Sequence, residues 1–135
     1  MSGDRKATGS TARTLAEDVL TRISDPSLFV QAAYIDGEWV EALDGRRRTV
    51  IDAATDKPLG SIPNMGARET ERAIQAAEAA FPKWRAMTAW ARGDILNRWG
   101  DLMAKHKDDL AAIMVLEQGK PLDEAKGEID YARSF

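Results

Sequence analysis

Apolar residues in this chain come in short clusters bounded by turn signals up to residue 63, and at helical spacing from residue 67 onward. In the first part, Tyr34-Ile35 and Glu38-Trp39-Val40 flank Asp36-Gly37. Asp-Gly supplies the positive φ angles of a tight turn, so these segments predict a hairpin. Asp44-Gly45 predicts a second turn. Thr49-Val50-Ile51 and Leu59-Gly60-Ser61-Ile62 predict two more strands, separated by Thr55-Asp56-Lys57-Pro58. Pro63 lacks an amide hydrogen and places the last strand at an exposed or terminal position. Together these segments predict a β-meander over 33–63.

Helical spacing then takes over. Ala73, Ile74, Ala77 and Phe81 share one side of a first helix, with Glu69 and Glu71 in its first turn, where negative charge suits the dipole. Pro82 is expected to close it. Thr88 is a candidate N-cap for the next helix. There Ile95, Leu96, Trp99, Leu102 and Met103 form an amphipathic stripe, on which Trp99 is expected to pack. Gly100 weakens that helix by about 1 kcal/mol. Leu110, Ile113, Met114 and Leu116 continue the apolar face to Gly119, a candidate left-handed C′ residue, with Pro121 as N1 of the helix after it. In that last helix Leu122, Ala125, Ile129 and Ala132 share a side, and Tyr131 and Phe135 make a second ridge. Strands followed by helices suggest an α+β domain or the opening piece of a larger α/β protein.

The start of the chain reads differently. Residues 1–11 have almost nothing apolar to offset the entropy of ordering, and read as disordered. Ala12 to Ile23 predicts a short helix with Leu15, Val19, Leu20 and Ile23 on one side, ended or redirected by Pro26. Residues 1–27 therefore form a leader, disordered to partly helical, ahead of a domain over 28–135. The leader lacks the apolar core of a secretory signal, and no run approaches the roughly 18 apolar residues of a membrane span. The expected location is cytoplasmic, with no membrane partner. A net charge of -3 argues against nucleic acid as a partner, because such binders carry a basic surplus.

The candidate chemistry is sparse. The chain has no cysteine, which excludes disulfides, thiolate metal sites and cysteine catalysis within it. His106 stands beside Asp108 and Asp109 in a charged, exposed run, but one histidine without a second ligand is a poor metal signal. Gly119-Lys120 lacks the preceding glycine and the following Ser or Thr of a phosphate loop, since Met114 and Pro121 stand there. Arg46-Arg47-Arg48 reads as a solvated basic loop. Glu117, Asp123, Glu124, Glu128 and Asp130 alternate with Lys120, Lys126 and Arg133, as on a solvated helix face. Trp84 and Trp90, close to the expected break at Pro82, are placed to cover a seam with structure encoded elsewhere.

Several segments, in order, resemble the start of aldehyde dehydrogenases. Tyr34-Ile35-Asp36-Gly37-Glu38-Trp39 is similar to the family's first hairpin, and Leu59 to Gly66 to the strand before its first long helix. Ala73-Ile74-Gln75-Ala76-Ala77 through Phe81-Pro82-Lys83-Trp84-Arg85 resembles that helix. The sharpest similarity is Leu116-Glu117-Gln118-Gly119-Lys120-Pro121-Leu122-Asp123-Glu124-Ala125-Lys126-Gly127-Glu128-Ile129, and it favours the succinate-semialdehyde dehydrogenase branch. The resemblance covers about 28–135. Where relatives carry an Asn-Pro-x-x-Gly turn, this chain has Asp52-Ala53-Ala54-Thr55-Asp56, so a looser turn is expected.

The resemblance implies an α/β fold: a β-meander, then helices that flank a Rossmann-like sheet completed by residues beyond this chain. It implies a longer parent that oxidises succinate semialdehyde or a similar short aldehyde, with NAD or NADP accepting hydride, in a homo-oligomer (dimer or tetramer). The family's cysteine nucleophile, its water-activating glutamate and its main cofactor loops would lie beyond residue 135. No catalytic or cofactor-binding residue is therefore assigned, and no cofactor is expected to bind this chain alone. Tyr131 and Phe135 match a helix that lines the family's substrate channel. Val50, Ile51 and Glu117 match positions near a structural cation in some relatives. If about 600 Å² of apolar helix surface lacks its sheet, about 15 kcal/mol is lost at ~25 cal/mol per Å². A whole domain is stable by only ~5–15 kcal/mol. The chain alone is thus expected to be inactive, and partly molten, aggregated or held by a partner. The alternative is a non-catalytic module of the same fold that pairs with itself or with a partner.

Overall fold

The computed structural model describes residues 21–135. The leader expected over 1–11, and all but the last residues of the helix expected over Ala12 to Ile23, lie outside the described residues. The described chain begins at a turn in which Ile23 is buried. Asp25 then caps a single 3-10 turn, Pro26–Leu28, by accepting the Ser27 N–H at 3.0 Å. Pro26 suits that turn because its missing N–H would have no partner there.

Two hairpins follow. Strands β1 (Ala33–Ile35) and β2 (Glu38–Val40) pair antiparallel, Tyr34 opposite Trp39. Asp36 and Gly37 both take positive φ, as a tight hairpin turn requires. Strands β3 (Arg47–Ile51) and β4 (Pro58–Pro63) pair antiparallel, with a register shift at Val50/Ile51. The expected continuous meander is therefore two separate two-stranded sheets. Between β2 and β3 the chain leaves the sheet. Gly45 turns back with φ +70°, and the Leu43 N–H goes to the Glu69 carboxylate at 2.8 Å instead of to a neighbouring strand.

Arg47, expected in a solvated loop, holds this region together. Its guanidinium donates to Ser61 Oγ (2.8 Å), to the carbonyls of Gln31 (2.6 Å) and Ser61 (2.7 Å), and to the Glu41 carboxylate. Gln31 completes the link by accepting the Ser61 N–H at 2.8 Å. Gly60 leaves the room it needs, since a Cβ there would lie 2.4 Å from Gln31 Oε1.

Four helices complete the chain: α1 (Ala67–Ala86), α2 (Ala89–Lys105), α3 (Lys107–Gln118) and α4 (Leu122–Ser134). Glu69 accepts the Gly66 N–H at 3.0 Å as well as that of Leu43, so one carboxylate starts α1 and ties it to the loop after β2. Pro82 does not close α1, which continues four residues further. Pro82 and Glu78 are both exposed, so the carbonyl that loses its intrahelical donor can turn to water. Thr88 caps α2 as expected, accepting the Ala91 N–H at 3.2 Å.

Helix α4 packs against both α3 and α2. Gly100 lets it come close, because a Cβ there would lie 3.3 Å from Arg133 Cγ. Arg133 pairs with Asp101 at 3.1 Å across the same contact. Leu59 and Leu116, flanked by Phe29 and Val50, join the second hairpin to the end of α3. Asp109, expected in an exposed run, is buried on α3 and accepts the N–H groups of Ser24 (2.7 Å) and Asp25 (3.0 Å). Trp99 was expected to pack, yet it is 64% exposed.

Two measurements test these anchors. Folding lowers the Glu69 carboxyl below its ordinary 4.5, chiefly through the Leu43 N–H and then through its own and Gly66's. Its contribution is complete above pH 4.5 and is lost as pH falls through the lower folded value. The Leu43 and Gly66 amides should therefore exchange with more protection in the wild-type chain than in Glu69→Gln at neutral pH, and the gap should close in acid. Asp109→Ala should lower protection of the Ser24 and Asp25 amides roughly 30-fold, the equivalent of about 2 kcal/mol for bonds to a charged acceptor.

Candidate functional site

Two places hold the residues that the sequence singles out. The first is the corner where the β3–β4 turn meets the end of α3. Asp52 is buried and organises the turn. Its Oδ1 accepts the N–H groups of Ala54 (2.8 Å) and Thr55 (3.1 Å), and its carbonyl accepts that of Asp56 (2.9 Å). The expectation of a looser turn is not met. An aspartate side chain makes the same local bonds as asparagine, and Asp56 takes a left-handed conformation, φ +57°, of the kind glycine adopts without strain.

The Ala53 N–H donates to the Leu116 carbonyl at 3.3 Å, joining this turn to α3. Gly119 ends α3 with φ +71° and its N–H on the Val115 carbonyl at 2.8 Å. A Cβ on Gly119 would lie 3.2 Å from Ala53 Cβ, so the turn and the helix end meet closely. Pro121 stands one position earlier than expected, at the N-cap of α4, where its carbonyl accepts the Ala125 N–H at 2.9 Å. Val50, half-buried against Leu59 and Leu116, and Ile51 lead into this corner from β3, while exposed Glu117 follows Leu116 on α3. Among the described residues, no three His, Cys, Asp or Glu side chains cluster as a metal site. Any cation here would need main-chain carbonyls as well as Glu117.

The second place is the end of α4. Tyr131 and Phe135 pack edge to face, with centroids 4.7 Å apart and planes at 77°. Both are open to solvent, Phe135 at 88%. Phe135 borders a cleft of about 520 Å³ between α2 and α4, with Leu96, Asn97, Gly100, Asp101 and Arg133. The two candidate channel residues thus touch each other, well separated in sequence from the Val50–Glu117 corner.

The acidic face of α4 is more tied down than the sequence suggests. Lys126 and Asp130 do not pair with each other. Lys126 reaches Asp108 at 2.8 Å, and Asp130 pairs with Lys107, so both bonds cross from α4 to α3. Their mutual hydrogen bond holds the Asp108 carboxyl below its ordinary range and the Lys126 ammonium above its own. Lys120 pairs with Glu128. His106 ends α2 with its N–H on the Leu102 carbonyl at 3.0 Å, and nothing beside it forms a ligand set. Arg47 and Asp109, expected in solvated runs, serve architecture. A basic triplet or an acidic pair reads as solvated until distant backbone donors and acceptors are known.

The chain belongs to the aldehyde dehydrogenase family, whose sequence profile matches residues 39–135. It is 55% identical over 114 residues to a glutarate-semialdehyde dehydrogenase of Pseudomonas aeruginosa, covering 84% of this chain and 24% of that protein. It is 54% identical over 114 residues to an NADP(+) succinate-semialdehyde dehydrogenase of Escherichia coli, with the same coverage. The crystal structure of a succinate-semialdehyde dehydrogenase from Burkholderia pseudomallei superposes with a TM-score of 0.81 at 54% identity, over 83% of this chain and 23% of that one. The fold is therefore that of the N-terminal part of these enzymes, and the chain spans about a quarter of the length of the curated relatives it matches. No helix among the described residues is long and apolar enough to cross a membrane.

Asp56 offers a test of this corner. An L-residue pays roughly 1 kcal/mol to hold the left-handed conformation, and glycine does not. Asp56→Gly is expected to raise the exchange protection of the Ala54, Thr55 and Asp56 amides about five-fold, for about 1 kcal/mol of relief.

Proposed function

We propose that this chain is the N-terminal part of a longer NAD(P)-dependent aldehyde dehydrogenase. Its parent oxidises succinate semialdehyde or a similar short aldehyde to the carboxylic acid, as a cytoplasmic homo-oligomer. One observation carries this reading. The helices present large apolar side chains outward, among them Ile74, Phe81, Trp90 at 86% exposure, Tyr131 and Phe135, and no large side chain among the described residues is fully buried. Soluble chains rarely leave such faces bare without something to cover them. A fold that spans a quarter of its relatives' length has a ready candidate, the sheet encoded further along.

The chemistry of the parent would be supplied by residues this chain does not contain. A cysteine would attack the aldehyde, hydride would pass to the nicotinamide, and an activated water would hydrolyse the thioester. What this segment supplies is support. Helices α1 to α4 would coat the nucleotide-binding sheet. Tyr131 and Phe135 would wall the aldehyde channel. Glu117 and the carbonyls of Val50 and Ile51 would offer hard oxygen donors to a structural cation.

A split enzyme tests the proposal. Alone, residues 1–135 should produce no NADH or NADPH from succinate or glutarate semialdehyde. Co-expressed with the Escherichia coli relative shortened by its matching N-terminal quarter, they should restore aldehyde-dependent reduction of the nucleotide, which neither piece yields alone. Turnover by 1–135 alone, or failure to complement when the two pieces co-purify, refutes it.

A further inference from the structure

We propose that Asp36-Gly37, at the tip of the first hairpin, is a site of spontaneous aspartate isomerisation, and that a second Asp-Gly pair, Asp44-Gly45, is shielded from the same reaction by its own turn. Both pairs are exposed, and in both the glycine takes positive φ, +82° at Gly37 and +70° at Gly45. A Cβ at either glycine would meet nothing within 4 Å. Glycine also offers no side chain to obstruct attack by its own nitrogen. The two pairs share sequence and exposure, and differ in how their reacting groups are bonded.

The Gly37 nitrogen attacks Cγ of Asp36. A C–N bond forms, and the amide hydrogen leaves with a carboxyl hydroxyl as water. The product is a succinimide ring. Water then breaks one of the two C–N bonds of that ring. Opening at the original main-chain carbonyl leaves the chain running through Cγ, an isoaspartate with one extra backbone methylene; opening at Cγ restores aspartate. One water leaves and one enters, so nothing is oxidised and no co-reactant is needed.

Attack requires a free carboxyl and a free amide. Among the described residues, the Asp36 carboxylate meets no donor or cation, and the Gly37 N–H meets no acceptor. At the second pair both groups are engaged. Asp44 Oδ1 accepts the Arg46 N–H at 2.9 Å and Oδ2 accepts its Nε–H at 2.6 Å, while the Gly45 N–H donates to the Ala42 carbonyl at 2.9 Å. The Arg46 N–H, and then its guanidinium, hold the Asp44 carboxyl below its ordinary range, and an ionised carboxylate is the slower form to lose oxygen. The setting of the first pair adds to the contrast. Asp36-Gly37 joins strands of three residues in a sheet of two, and such a hairpin opens readily. Opening supplies the rotation about Asp36 that ring closure needs. The extra methylene would lengthen a turn whose register sets Tyr34 against Trp39, with ring centroids 5.1 Å apart. The assignment does not depend on what the parent enzyme does.

The test incubates the 1–135 chain in heavy-oxygen water, in native buffer and in urea, and then cleaves after glutamate. Glu38 and Glu41 place Asp36 and Asp44 in different peptides. Ring opening leaves a solvent oxygen on the peptide, and elution with fragment ions tells isoaspartate from aspartate. In native buffer Asp36 is expected to take up oxygen about ten-fold faster than Asp44, the factor that one or two hydrogen bonds supply. In urea the two rates should converge. Arg46→Ala should speed uptake at Asp44 about three-fold, the worth of an exposed ion pair, and leave Asp36 unchanged. Equal native rates, a faster Asp44, a ratio that persists in urea, or an Asp36 that reacts only in urea overturns the proposal. An Asp44 rate unmoved by Arg46→Ala overturns the shielding.

Discussion

Carboxylates that accept backbone N–H groups from distant segments hold this chain together. The buried polar residues among those described are Asp52, Glu69 and Asp109; Glu69 and Asp109 do this work, and Asp52 does its local equivalent. Asp52 ties its own turn, Glu69 joins α1 to the loop after β2, and Asp109 joins the arriving chain to α3. A buried carboxylate is costly unless its oxygens are satisfied, and a loop amide withdrawn from water is costly unless something accepts from it. Each pairing removes both costs at once. The device is needed because irregular segments cannot exchange bonds along a ladder, and the described residues include short hairpins joined by irregular loops.

The same constraint explains why apolar packing looks thin. Among the described residues the buried apolar side chains larger than alanine, Ile23, Ile35, Leu59, Leu116 and Ile129, are few, and the other buried apolar residues are alanines. Alanine at 111 and 125 permits close helix approach but buries little area. Close approach without a deep core fits a helical layer that seals one side of something larger. Trp90, Phe81, Ile74 and Phe135 are each more than half exposed.

Much of this was legible in the chain, because local chemistry decided it. Asp36-Gly37 fixed a hairpin, Thr88 a helix start and Gly119 a helix end, each through a backbone requirement that neighbouring residues cannot override. The succession of strands and helices followed, and with it the family. The candidate sites were less legible. Tyr131 and Phe135 lie four apart on one helix, so their contact was within reach of the sequence. The packing of Val50 on Leu116, one residue before Glu117, goes with an amide of Ala53 meeting the Leu116 carbonyl, which no local pattern announces. Arg47 and Asp109 were misread for a related reason: a charged residue looks solvated until its backbone partners, which have no side-chain signature, come into view. Trp99 misled in the opposite sense. Its place on an apolar helical stripe reads as packing, yet the side chain is 64% exposed.

The turn from Asp52 to Asp56 shows how a departure from a family pattern can keep its geometry. The proline and glycine usual in relatives narrow the unfolded ensemble and permit a left-handed residue. Here the Asp52 carboxylate supplies the closing bonds, and Asp56 accepts the left-handed strain instead. The result still brings the Ala53 amide onto the Leu116 carbonyl, with Gly119 leaving just enough room. What these bonds fix at the corner is the path of the backbone. Chemically different residues can satisfy it as long as the amides of the turn and the carbonyl at the helix end find their partners. A sequence motif that looks broken at this position is therefore weak grounds for expecting a broken structure.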